Sequence, residues 1–248
     1  MTDIPGCDSK HPSTLHTLDA RVCACIHALH SQWVCQGYFY PYKLFPSDED
    51  AMIPFMSSTS IVFRKGDITR MQCDAIVNAA NDRLAEGGGV CGAIFGAVRK
   101  AGGHAQLTSA CREIGHCPTG DAVITPSFGL DAPWIIHAVG PQWAGKRHEM
   151  PEALTPGNIA QLRELASAYR AILRICRENN LTSVVIPSIS TGIYGLPQEL
   201  GAAIAVQVCS AEGDGINVTL VAYDDKSLPV LHSAPSPAAA ALLHGVQL

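Results

Sequence analysis

Two glycine-bearing segments hold the residues whose types and spacing could do chemistry. The first runs from Gly66-Asp67-Ile68-Thr69 through Asn78-Ala79-Ala80-Asn81 to Gly87-Gly88-Gly89-Val90. An apolar run that ends in Asn-Ala-Ala-Asn, followed by three glycines and a helical pattern, puts backbone amides at a strand end and at a helix N-terminus. Three adjacent glycines remove the side chains that would hold an anion off the backbone, and the partial positive charge at the start of the helix favours phosphate oxygens. The second segment, Ser188-Ile189-Ser190-Thr191-Gly192-Ile193-Tyr194-Gly195, follows the apolar run 184–187. Two polar loops at the C-terminal ends of strands can face one crevice, which is where open α/β sheets bind ligands. A glycine-rich turn that binds nothing accounts for either segment alone, so the weight of the reading rests on finding both.

The elements that must position these loops are short. Strands are expected at 61–63, 75–78, 121–126, 134–139, 183–187 and 217–223, mostly brief apolar runs without strict alternation, as suits strands buried on both faces. Helices fit 90–101, 105–115, 158–179 and 198–209, each bounded by Gly, Pro or Asn. This alternation predicts a layered α/β fold. Residues 1–57 read as an N-terminal extension with a helix over 15–30, residues 58–231 as the working domain, and 232–248 as a tail whose Ala-rich part suits a short helix. The polar, proline-marked stretch between Gln142 and Pro156 reads as a surface loop.

Five segments, GDIT, DAIVNAAN, GGGV, IIHAVGP and IPSISTGIYGLP, resemble the macrodomain family in content, order and spacing, over about residues 61–230. The resemblance implies a three-layer α/β/α sandwich around a central mixed sheet, and a site for ADP-ribose. Asp67 would accept from the adenine amino group, with Ile68 as the adjacent backbone contact, and Tyr223 would stack on the base. Gly87, Gly88, Gly89, Val90 and Cys91 on one side, and Ser190, Thr191, Gly192, Ile193 and Tyr194 on the other, would grip the diphosphate and distal ribose. Asn78, counted with the ligand-binding residues, would brace the first loop from behind. Asn81, Gly88 and Tyr194 would form the catalytic end.

Plainer accounts stand beside these roles: Asp67 as a turn or helix-cap aspartate, Asn81 as a turn residue, and Tyr223 as a ring packed at a strand end. In the hydrolytic MacroD-type subgroup the residue after Gly-Gly-Gly-Val is usually Asp, with His one turn later, whereas here these places hold Cys91 and Phe95. Cys91 reads as a small buried filler, since no neighbouring His suggests an activated nucleophile. Glu86 is an alternative acid–base candidate.

The resemblance therefore implies hydrolysis of mono-ADP-ribosyl esters on protein Asp or Glu and of O-acetyl-ADP-ribose, with a non-catalytic reader of ADP-ribosylated proteins as the alternative. A macrodomain-class poly-ADP-ribose glycohydrolase needs paired glutamates after the glycines, and a nicotinamide dehydrogenase needs Gly-x-Gly-x-x-Gly with a later acidic residue; neither pattern is present. No cofactor and no metal are expected, because Cys23, Cys25, His27, His30 and Cys35 match no common zinc spacing.

Composition agrees with a compact domain: 248 residues, 47% hydrophobic and 16% charged. A formal charge of −5 argues against strong nonspecific nucleic-acid or membrane attachment. The ten cysteines are scattered and read as reduced thiols. The expectation is a monomer that is intracellular, cytoplasmic or nuclear, with a mitochondrial address left open.

Overall fold

A computed structural model describes residues 60–248. The expected extension and its helix, and the Cys/His group at 23–35, lie outside the described residues.

Six strands form one sheet in the order β1-β6-β5-β2-β4-β3: β1 (Ile61–Lys65), β2 (Ala75–Ala79), β3 (Ala122–Pro126), β4 (Trp134–Ala138), β5 (Ser183–Pro187) and β6 (Asn217–Ala222). All neighbouring pairs are parallel except β3 with β4, so the sheet is mixed, as the resemblance implies. Helices α1 (Gly89–Lys100) and α2 (His104–Ile114) cover one face, while α3 (Pro156–Glu178) and α4 (Gln198–Glu212) cover the other.

Alternation along each strand assigns its side chains to the two cores. Val77, Ile136, Ile186 and Leu220 face the α3/α4 layer, whereas Ile76, Ile135, Val185 and Val221 face α1 and α2. Because both faces are covered, the strands read in sequence as continuous apolar runs and not as alternating ones. Each fully buried aliphatic side chain contributes about 1.5–3 kcal/mol, which makes this double core the main source of stability.

The helix ends follow from local chemistry. At α3, Thr155 Oγ1 accepts from the Asn158 amide at 3.1 Å and Asn158 Oδ1 accepts from the Thr155 amide at 3.1 Å, a reciprocal cap with Pro156 in the first turn. At α1 the capping position is Gly88, which has no side chain to satisfy the first-turn N–H groups. The tail packs into the fold. Helices α5 (Ser227–His232) and α6 (Pro237–Leu243) bring Leu231 and Ala239 into the core of the α3/α4 layer. No helix among the described residues is long and apolar enough to cross a membrane.

One detail of pairing prepares the site. β2 and β5 pair only at Ala75 with Val184 and at Ile76 with Val185, although β2 pairs with β4 along its whole length. Beyond those two positions β2 and β5 part company. β5 ends at Pro187, which brings no N–H to a ladder.

Candidate functional site

The gap between the parted strands opens into a cleft of about 670 Å³. Its lining comes from the C-terminal ends of five neighbouring strands in sheet order: Asp67 after β1, Tyr223 after β6, Ser188–Tyr194 after β5, Asn81 and Gly87–Cys91 after β2 and Gly140 after β4. The two glycine-bearing segments thus converge. A Cβ added to Gly88 would lie 3.0 Å from Ile193 Cδ1, so the loops meet across the cleft.

The first loop is built by Asn81. Its Oδ1 accepts from the amides of Arg83 (3.2 Å) and Ala85 (3.1 Å), and its Nδ2 donates to the Ala85 carbonyl at 2.8 Å. The turn-residue reading therefore describes what Asn81 does, and one Nδ2 proton is left over for a ligand hydroxyl. Gly89 takes φ +60°, a left-handed conformation that side chains resist, and it starts α1 with its amides uncapped.

The second loop turns on Ser190, at φ 65°, and Gly195, at φ 76°. Inside it, Leu196 N–H bonds the Ser190 carbonyl at 3.0 Å and Gly195 N–H bonds the Gly192 carbonyl at 3.0 Å. The amides of Thr191, Gly192, Ile193 and Tyr194 donate to no acceptor among the described residues. Ser190 Oγ is also buried without a partner among them. Uncapped helix amides on one side and four free loop amides on the other make a cradle for an anion without any cationic side chain in its lining.

The outer end carries Asp67 and Tyr223. Asp67 caps a 3-10 turn (Ile68–Arg70): its Oδ1 accepts from Thr69 N (3.0 Å) and Thr69 Oγ1 (2.7 Å). That is the plain cap role, with Oδ2 accepting no hydrogen bond among the described residues and the residue exposed on the cleft wall. Tyr223 is 88% exposed, which sets aside the reading of a packed ring and leaves a free aromatic face at the cleft mouth.

Every other residue expected at the ligand lines the cleft, but Asn78 does not. It is buried on the α1/α2 face because β2 sends alternate side chains to opposite sides. There its Nδ2 lies 3.1 Å from His137 Nδ1 and 3.6 Å from Cys91 Sγ. Asn78 thus lies behind the loop, against His137 and Cys91, and outside the cleft lining. His137, wholly buried, completes the brace through Thr125 Oγ1 at 2.9 Å, and burial pushes its pKa down from 6.5 to about 4. Burial thus favours the neutral imidazole, whose two ring nitrogens face Asn78 and Thr125.

The candidate acids and nucleophiles are quiet. Burial raises the Cys91 thiol pKa, and its sulfur, 3.3 Å from the Gly87 amide, fills the space behind the glycines. Glu86 does not line the cleft. Arg99 holds it at 2.7 and 2.9 Å, and hydrogen bonds from Arg99 and then His104 keep it below the usual carboxylate range. Phe95 is a core side chain. Sequence reasoning missed Gly140, Gln198 and Ser227 as lining residues. Gly140 was within reach, since it sits in the IIHAVGP segment; Gln198 and Ser227 carried no motif.

A mixed sheet between two helical layers, with amide loops facing each other over its parted strands, defines an α/β module whose cleft at the strand ends offers unpaired amides to an anion. The Macro domain family model matches residues 77–205, and the chain belongs to that family. A macro domain-containing protein of Cupriavidus necator is 44% identical over 180 residues, covering 69% of this chain and 95% of the relative. The O-acetyl-ADP-ribose deacetylase of Salmonella gallinarum is 44% identical over 150 residues, covering 59% of this chain and 75% of the relative. Among solved structures, a mutant Oceanobacillus iheyensis macrodomain with ADPR superposes with TM-score 0.61 at 33% identity, covering 72% of this chain and 92% of that one.

Proposed function

We propose that this protein binds ADP-ribose and hydrolyses its esters, both mono-ADP-ribosyl esters of protein Asp or Glu and O-acetyl-ADP-ribose. The observation that carries the reading is the pair of facing amide sets, Gly88–Cys91 at the start of α1 and Thr191–Tyr194 in the second loop, in a cleft that runs from Asp67 and Tyr223 to Asn81. The kinship with a named O-acetyl-ADP-ribose deacetylase and with an ADPR-bound macrodomain supports it. In this reading Asp67 takes the adenine amino group on Oδ2, Tyr223 stacks on the base, and the two amide sets take the diphosphate. Asn81 Nδ2, the Gly88 backbone and Tyr194 set the distal ribose.

Hydrolysis here is catalysis by placement. Water adds at the ester, the acid departs, and ADP-ribose with a free hydroxyl remains. Among the described residues no carboxylate lines the Cys91 end of the cleft, so in this reading the bound ligand's own phosphate and the loop groups orient the water; orientation alone can lower a barrier by several kcal/mol. Incubation with an ester-linked mono-ADP-ribosylated acceptor, and separately with O-acetyl-ADP-ribose, should release free ADP-ribose above a buffer blank.

A reader that binds without turnover is the second reading, favoured by one observation: the position after Gly87-Gly88-Gly89-Val90 holds a buried thiol, Cys91, whose pKa burial raises. Calorimetric binding of ADP-ribose with no release in either ester assay would select it, and absence of binding would overturn both.

A further inference from the structure

The loop between β4 and α3 is anchored on α3 and grips the second cradle loop by three successive carbonyls. Gln161 on α3 holds the segment at both sides, accepting from the Ala144 amide at 3.2 Å and donating to the Gln142 carbonyl. From that anchored segment Arg147 Nη2 donates to the Ile193 carbonyl at 2.8 Å, Trp143 N–H to the Tyr194 carbonyl at 2.9 Å, and His148 N–H to the Gly195 carbonyl at 2.7 Å. The Arg147 stem lies over Gly195, where an added Cβ would come within 2.9 Å of Cγ.

A trans peptide points its C=O and the following N–H in opposite directions. Fixing the Ile193 carbonyl outward on Arg147 therefore turns the Tyr194 N–H away from the clasp, and that N–H is one of the four loop amides with no acceptor among the described residues. The same peptide carries the Ile193 side chain that bridges to Gly88 over the cleft. Trp143 and His148 contribute backbone groups and retain them under substitution; Arg147 alone acts through its side chain.

We propose that Arg147 is a positioning residue for the diphosphate: it never touches the ligand, but it orients the Ile193–Tyr194 peptide and so sets both the amide that meets the phosphate and the side chain that closes over it. This rests on the assignment of the cleft to ADP-ribose. The geometry makes the contribution specific to ligands with a phosphate, because Asp67 and Tyr223 follow other strands, β1 and β6, and Asp67 is held by its own turn through Thr69.

The test compares Arg147→Ala and Arg147→Lys with the unsubstituted chain for ADP-ribose by calorimetry and for adenosine, which carries no phosphate, by chemical-shift titration. Losing a charge-assisted hydrogen bond that pre-organises the loop should weaken ADP-ribose binding roughly tenfold in Arg147→Ala. Lysine, which keeps a cationic donor, should recover part of the loss, and adenosine binding should be unchanged. Equal affinity of Arg147→Ala and the unsubstituted chain for ADP-ribose, or equal weakening for both ligands, would overturn the proposal. Failure of the unsubstituted chain to bind ADP-ribose would overturn the nucleotide assignment itself.

Discussion

Tyr223 is the most exposed large hydrophobic side chain in the cleft wall, and exposure is what a stacking surface needs before its ligand arrives. If it covers adenine, Tyr223→Ala should cost about 1–3 kcal/mol of ADP-ribose binding, while Tyr223→Phe should bind as the unsubstituted chain does, since only the π face is used. Isothermal titration of the two variants checks this, and an unaffected alanine variant would leave the ring without that role. At this scale the site was largely legible, because glycine and asparagine advertise backbone chemistry directly. Asn78 was the exception: four positions of a motif look equivalent on paper, but strand alternation turns Asn78 under the sheet while Asn81, beyond the strand end, stays at the cleft. Cys91 was legible as filler because its helical position faces inward, and its raised pKa follows from the same burial.

The strands and helices came within a few residues of their sequence-based bounds wherever two-sided burial leaves a continuous apolar run, as in β5, or a reciprocal cap marks a start, as at α3. What could not be read was how loops from different elements press on one another. Gly140, after β4, is one such place. A Cβ there would meet Ile189 Cγ2 at 2.6 Å and the Ser190 hydroxyl closer still, so β4 and the second loop touch without side-chain clearance. Gly140→Ala should push the Ser190 turn out of place. The expected outcome is a loss of roughly tenfold or more in ADP-ribose affinity, with a melting midpoint lowered by overpacking costs of about 1–3 kcal/mol. Unaltered binding would show that the second loop tolerates displacement. The Gln142–Pro156 stretch was read as a surface loop on its polarity, and polarity said nothing of the grip its Arg147 exerts on Ile193.

Across the whole molecule, the brace behind the site imposes a pH limit. His137 is buried and neutral, with its folded pKa depressed to about 4 against 6.5 for the free side chain. Below pH 6.5 the unfolded chain takes up a proton that the folded chain refuses, so this contribution to stability is full above that pH and is lost as pH falls toward 4. The loss is on the order of 3 kcal/mol at most. Urea midpoints should fall steadily between pH 6.5 and 4.5, and a His137→Gln variant that still folds should lack most of that slope; equal slopes would place the acid sensitivity elsewhere. The tail was legible as a helix but not as part of the core, because an Ala-rich composition does not reveal where Ala239 and Leu231 pack. The parting of β2 from β5 after two paired positions has a longer reach. The central slot takes its donors from main chain, so those N–H groups survive substitution at their own positions, and only their orientation depends on supports such as Arg147 and Gly140. Substitution at the rim, at Asp67 or Tyr223, can therefore retune what the outer end accepts while the amide donors of the middle remain in number.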